Sequence, residues 1–404
     1  MKRTVFAGAI LILSLATGAG RGQPAPSITA DNSIVASIPF ELVAGHIVLQ
    51  VRVDNSRPLS FFFDTGDRVG LIDTARAREL ALKFTREIMI GGAGSQLLTG
   101  SPVEGSNWTL TGLEGFSQPI RLAIPLGDLA RAFGHDFDGI IGGEFISQYV
   151  IEVDYKGRIL KLHDKSRFKY SGPGEIIPIE LNHGGFPVIE GMMPIGSEPL
   201  RGKFVLDLGS GDTVILHSPF VVGHHLLDGK FETIKAIGRG GAGGRSNGRA
   251  GRVAELKIGK FKISNPTAMF SEDKTGTLAD AELAGNIGQR IAGKFKTFLD
   301  YSNERIILEA TDAFSKPLDR ASSALSAENK NFKTFRVTEV LEASPASEAG
   351  LQKDDLITKV NDKQSADLTL SRLKEMFEQS ATYKVTVRRG ARILKVTLTT
   401  RKLV

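Results

Sequence analysis

The chain has 404 residues and no cysteine. That absence excludes disulfides, thiolate metal sites, thiol catalysis and a lipidated N-terminal Cys of the bacterial kind. Histidine is sparse, and the one adjacent pair, His224 and His225, points apart if helical, so no metal site is expected. Ser210 and the seven histidines offer no nucleophilic triad. No stretch beyond the N-terminal region is long and apolar enough for a membrane helix. There is no dense basic stripe with interleaved aromatics, which argues against a nucleic-acid partner. Glycine is plentiful, at 45 residues, but without a strict period, so it marks turns and hairpins and not collagen. Gly238-Arg239-Gly240-Gly241-Ala242-Gly243 matches a dinucleotide fingerprint as a string. The Gly244-Arg245-Ser246-Asn247-Gly248 that follows cannot supply the helix that fingerprint needs. The Arg/Gly stretch to Arg252 reads as a flexible hairpin. No cofactor is expected.

What is present is a packed globular chain, 41% apolar, with room for two or three domains. Lys2 and Arg3, the apolar run Val5 to Leu15 and the small residues Thr17 to Gly20 have the form of an export signal within residues 1–25. The expected cleavage lies between Ala19 and Ala25, and the expected location is the periplasm, the cell envelope or the exterior. An uncleaved anchor is the competing reading, disfavoured by the shortness of the apolar run. The formal charge of +6 falls to +4 without Lys2 and Arg3. Residues 332–404 carry 14 Lys plus Arg against 9 Asp plus Glu, so the surplus sits at the C-terminus as a solvated face.

One pattern occurs twice. Phe61-Phe62-Phe63-Asp64-Thr65-Gly66 and Phe204-Val205-Leu206-Asp207-Leu208-Gly209 each read as an apolar strand ending in a carboxylate, with a glycine two residues on. A carboxylate at the mouth of an apolar strand is costly unless it has a partner or a chemical role. The order of landmarks repeats too. Asp64 and Asp207 are 143 residues apart; Gly91-Gly92-Ala93-Gly94 and Gly240-Gly241-Ala242-Gly243 are 149 apart. Asp138-Gly139-Ile140-Ile141-Gly142 and Ala284-Gly285-Asn286-Ile287-Gly288 are 146 apart, and the strands at Val153-Asp154-Tyr155 and Leu299-Asp300-Tyr301 follow them. The pattern predicts two homologous β lobes, about 33–168 and 175–312. Asp73 or Thr74 caps a predicted helix over Ala75 to Leu82, and Ser218-Pro219 is expected to open its counterpart. Trp108 reads as core or flap packing.

Residues 313–330 are polar and read as a linker with a first edge strand. A compact α+β unit follows over 331–404. Its strand Phe335 to Val340 precedes a short helix opened by Ser344-Pro345-Ala346 and closed at Gly350. A helix from about Thr369 to Gln379 buries Leu370, Leu373 and Phe377, and a terminal hairpin turns at Arg389-Gly390.

On these motifs the two lobes resemble bacterial retropepsin-like, two-lobed aspartic peptidases, and the C-terminal unit resembles a PDZ domain. Asp64-Thr65-Gly66 matches the family's catalytic triplet, Asp138 to Gly142 its second signature, and Asp207-Leu208-Gly209-Ser210 the triplet's place in the second lobe. The PDZ resemblance rests on Ser344-Pro345-Ala346, Ala349-Gly350-Leu351, Asp355 and Asn361. The resemblance implies a mainly β fold and metal-free hydrolysis of a polypeptide substrate, with Asp64 and Asp207 as the catalytic pair. Two carboxylates about 3 Å apart cannot both ionise, so they share a proton. Thr65, Gly66, Gly209 and Ser210 would support the catalytic loops. Gly91, Gly92, Gly94, Gly240, Gly241 and Gly243 would form mobile flaps. Ala324, Leu325 and Leu370 would line a PDZ peptide groove for a peptide or protein ligand. This chain departs from the family at Asp67, a third carboxylate beside the pair, which Arg68 could hold outward. It departs again at Leu208, which cannot return the hydroxyl bond of Thr65, and at Ala284 and Asn286. The competing reading is a peptide-binding or scaffold protein that uses the same lobes and PDZ unit without cleaving.

Overall fold

The computed structural model describes residues 32–94, 96–195, 198–237, 241–318, 325–329 and 334–403. The expected export signal, Gly240 and Ala324 lie outside them. The fold is mainly β, with four sheets among the described residues. No described helix is long and apolar enough to cross a membrane.

The first large sheet is built from residues 41–141 and the second from 180–288. In the first, His46–Val53 pairs antiparallel with Leu59–Phe63, forming a hairpin. Phe61, Phe63, Leu49 and Val51 are fully buried, because alternate side chains of both strands face one core. Leu59–Phe63 then pairs in parallel with Gly139–Ile141, setting Phe61 opposite Gly139 and Phe63 opposite Ile141. The second sheet has the same register, with Phe204 opposite Gly285 and Leu206 opposite Ile287. The glycines are required here. A Cβ on Gly139 would lie 2.3 Å from the Leu71 carbonyl oxygen, and one on Gly285 1.9 Å from that of Ile215.

A six-stranded sheet joins the two halves, with Val150–Asp154 paired antiparallel to Phe295–Asp300 at its centre. Apolar residues of both halves form one continuous core. Trp108 lies in it, stacked edge-on against Phe116 at 4.9 Å.

The sequence expectations for the short helices need small corrections. The first helix runs Thr74–Glu79, capped by Asp73, whose carboxylate accepts from the Ala75 and Arg76 amides. It also accepts from the Leu126 amide, anchoring a distant loop. Ser218 does not cap its helix. His217 holds the cap position, and the Ser218 hydroxyl donates instead to the carbonyls of Asp273 and Leu278, which are buried with it and need a donor.

The C-terminal sheet has the strand order 325–329, 335–340, 356–360, 382–389, 392–399, so Leu325–Asn329 is an edge. Its core is separate and includes Phe335, Ile357, Leu370, Leu373 and Phe377. Thr369 caps the helix Leu370–Phe377, and Ser344 caps Pro345–Glu348. Fully buried Asp355 is held by a two-pronged ion pair with Arg389, at 2.7 and 2.8 Å. This unit touches the helices Gly127–Phe133 and Gln289–Ala292 that follow strands of the two large sheets. Arg290 pairs with Glu378 at 2.7 Å, and Lys374 donates to the Ala132 carbonyl at 2.6 Å.

Candidate active site

Two strand ends meet at the centre of the molecule. The strand Leu59–Phe63 and the apolar end of Glu198–Asp207, Phe204-Val205-Leu206, run into the core, and each delivers a carboxylate where its sheet pairing ends. The Asp64 amide donates to the Ile141 carbonyl at 3.0 Å, and Asp207 lies opposite Gly288. The carboxyl groups of Asp64 and Asp207 face each other within hydrogen-bonding reach.

The glycines act across the pair. A Cβ on Gly209 would lie 2.1 Å from the carboxyl carbon of Asp64, and one on Gly66 would lie 2.9 Å from an oxygen of Asp207. Each triplet's glycine therefore makes room for the other triplet's carboxylate. The loops are bolted together by Thr65, which is 1% exposed. Its hydroxyl donates to the Leu206 carbonyl at 2.6 Å and accepts from the Leu208 amide at 2.8 Å. Leu208 returns nothing through its side chain and is instead fully buried in the core. The Leu208 carbonyl is satisfied by the Gln289 side-chain amide at 2.9 Å. One strand end supplies the hydroxyl bolt; the other is held by a glutamine and apolar packing.

The two carboxylates are not equivalent. Asp64 accepts the Gly66 amide at 2.7 Å. Asp207 accepts three donors: the amides of Gly209 (3.0 Å) and Ser210 (2.9 Å), and the side-chain amide of Asn286 (2.8 Å). Burial, then the Asp207 charge, then the Asp67 charge push Asp64 well above the ordinary carboxylate range. Burial also raises Asp207, but its hydrogen bonds, that of Asn286 foremost, oppose the rise. With three donors on Asp207 and one on Asp64, the geometry favours the charge on Asp207 and a proton on Asp64.

Asn286 is itself oriented. Because its nitrogen donates to Asp207, its oxygen faces His217 Nε2 at 3.0 Å, so that nitrogen carries the imidazole proton. The other ring nitrogen, Nδ1, faces the Asp280 carbonyl at 3.4 Å, and burial lowers the proton affinity of the ring against these two acceptors. Neither residue was singled out as a site residue in the sequence. The signal available was Asn286 itself, a polar side chain where the first copy has Ile140. Asp138 and Ala284 differ for another reason. Asp138 accepts from the Ser60 amide and from Arg76 at 2.6 Å, a structural tie, whereas Ala284 fills the space above Gly202.

Asp67 lines the cleft and is not held outward by the Arg68 side chain. The Arg68 backbone amide donates to it at 2.8 Å. Burial pushes its pKa up to about 7, against the opposing bonds from the Arg68 and Val69 amides.

Above the carboxylates is a cavity of about 420 Å³. Apolar residues make much of its wall, among them Phe62, Ile90, Phe133 and Ile140 from the first half and Phe186, Ile215 and Leu278 from the second, with Asn182, Ser246 and Thr277 among the polar ones. Two hairpin tips lie at it. One joins Ile88–Ile90 to Leu98–Glu104, and the other joins Thr233–Ile237 to Asn247–Arg252. Their glycine-rich turns interlock: the Gly94 amide donates to the Ala242 carbonyl at 3.1 Å, and the Gln96 amide to Gly243 at 2.9 Å. A Cβ on Gly92 would lie 2.0 Å from the Ala242 oxygen, so only glycine allows this contact. Of the expected flap glycines, Gly91, Gly92 and Gly241 line the cavity, and Gly94 and Gly243 form the contact between tips.

Leu370 is fully buried in the C-terminal unit, and Leu325 begins its edge strand. Residues 336–395 match the family model described as a PDZ domain. No curated protein matches the chain.

Proposed function

We propose that the chain is an aspartic endopeptidase whose single site is the Asp64–Asp207 pair. The PDZ domain is a peptide-recognition module, and in this reading it serves the same polypeptide chemistry. The observation that carries the proposal is the reciprocal packing of Gly66 on Asp207 and Gly209 on Asp64, which brings two half-buried carboxylates face to face at the cleft. The identical pairing registers around Gly139 and Gly285 support two copies of one lobe.

The chemistry follows from the asymmetry. Ionised Asp207 takes a proton from a water lying between the carboxylates as that water attacks the peptide carbonyl carbon. Asp64 gives its proton to the carbonyl oxygen, which leaves a neutral geminal diol. On collapse Asp207 returns its proton to the departing nitrogen, the C–N bond breaks, and Asp64 recovers a proton from the diol hydroxyl. Atoms and protons balance, and both carboxylates end as they began. The apolar walls hold apolar side chains flanking the scissile bond, and the two hairpin tips keep bulk water out. The N-terminal signature supports export as the setting.

The test is cleavage of a diverse peptide library, read by mass spectrometry over acidic to neutral pH. Wild type is expected to cut internal bonds, and Asp64→Asn and Asp207→Asn to lose at least about a thousandfold in kcat/KM. A wild type that cuts nothing, or a double mutant that cuts equally well, leaves the binding or scaffold reading.

A further inference from the structure

PDZ domains take an extended peptide as an added strand on an exposed sheet edge, beside a helix. Here that edge is Leu325–Asn329, and the helix over it is Leu370–Phe377. The place is already taken. The helix Gly127–Phe133 of the first large sheet lies against both elements. Its C-terminal carbonyls are the part that meets the groove. Lys374 Nζ donates to the Ala132 carbonyl at 2.6 Å, placing an ammonium at the negative end of the helix. The next turn residue, Gly134, is left-handed at φ 71° and rests on Leu370. A Cβ there would lie 2.3 Å from the Leu370 Cβ, so the contact depends on glycine.

The opposite side of the same helix faces the other site. Leu129 and Phe133 wall the cavity above Asp64 and Asp207. The Phe133 ring packs on His46 at 4.4 Å and Phe62 at 5.5 Å. One seven-residue helix therefore lies between the PDZ groove and the cleft and touches both.

We propose that residues 127–134 occupy the PDZ groove in cis, and that a peptide entering the groove displaces them and releases one wall of the cleft. The competing peptide presents an apolar side chain to Leu370 and a carboxylate to Lys374, whose ammonium loses the Ala132 carbonyl when the helix leaves. Coupling of this kind is reciprocal: a ligand that fills the cleft and holds Phe133 in place weakens peptide binding in the groove. The proposal concerns binding and holds whether or not the Asp pair cleaves.

Gly134→Ala in the full chain tests it, because this change leaves every PDZ residue intact. The probes are hexapeptides pairing an apolar residue with a carboxylate, with free or amidated C-termini to separate a chain-end carboxylate from an acidic side chain. A groove freed of its cis occupant binds more tightly by the inverse of the fraction previously open, here at least about tenfold. Lys374→Ala is expected to lose the preference for a carboxylate. In wild type, added peptide is expected to speed hydrogen exchange in residues 127–133, a readout that stands even if Gly134→Ala fails to fold. Equal peptide affinity in wild type and folded Gly134→Ala overturns the proposal. So does peptide binding that leaves exchange at 127–133 unchanged, or no binding by either protein.

Discussion

Asp67→Asn is expected to stabilise the protein, and to do so only at higher pH. Burial holds the Asp67 carboxyl near pKa 7, whereas an unfolded Asp titrates near about 3.9. Between those values the folded chain holds a proton that the unfolded chain has lost. Stability contributed by this group therefore falls as pH rises from about 4 to 7 and stays low above that. Three pKa units correspond to about 4 kcal/mol at about 1.36 kcal/mol each. Asp67 is partly exposed to the cleft and coupled to the pair, so about 2–4 kcal/mol is the expected range. Asn keeps the carbonyl that accepts the Arg68 amide and has no charge to bury. Trp108, the only tryptophan, is fully buried in the same sheet, so its fluorescence during urea unfolding reports this region. The gain of Asn over Asp should be near zero below about pH 4 and reach its full size above about pH 7. A gain independent of pH, or a loss at pH 8, would refute the reasoning.

Other outcomes follow from the same geometry. Asn286→Leu removes a donor from Asp207 and raises its proton affinity, so the acid limb of the pH–rate profile moves to higher pH, with kcat/KM down about 10–100-fold. An unmoved limb would mean that Asn286 only packs. Gly209→Ala drives a Cβ into the Asp64 carboxyl group and is expected to abolish cleavage; hydrogen exchange in residues 335–399 checks that the PDZ core, which is separate, stays folded. Asp67→Asn also removes a charge that raises Asp64, so the alkaline limb of the profile shifts to lower pH.

The two strand ends at Asp64 and Asp207 were legible in the sequence because the same order of apolar strand, carboxylate and glycine occurs twice. The spacing of Asp64 and Asp207, and of the glycines that follow, is a consequence of strands that must pair in one register. Asp138 and Ala284 stood out as a mismatch between copies, and the structure gives the first a local role in binding Arg76 and Ser60. Facing was not legible. Asp67 lies on an irregular turn, where no periodicity says which way a side chain points, and it turned inward to the cleft. The role of Asn286 depends on a hydrogen bond across 79 residues, and the position of His217 behind it on one across 69. The docking of Gly134 on Leu370 joins two separate apolar clusters, and nothing in either local pattern announces it.

The most direct test of the central claim is to titrate the two carboxyl groups by NMR, with aspartate labelled at the side-chain carbon and signals assigned by loss in Asp64→Asn and Asp207→Asn. The account predicts one proton retained on the pair well above the ordinary aspartate range, with the Asp64 titration moving to lower pH when Asp207 is replaced. Two carboxyl groups that titrate independently near about 3.9, each indifferent to removal of the other, would contradict it.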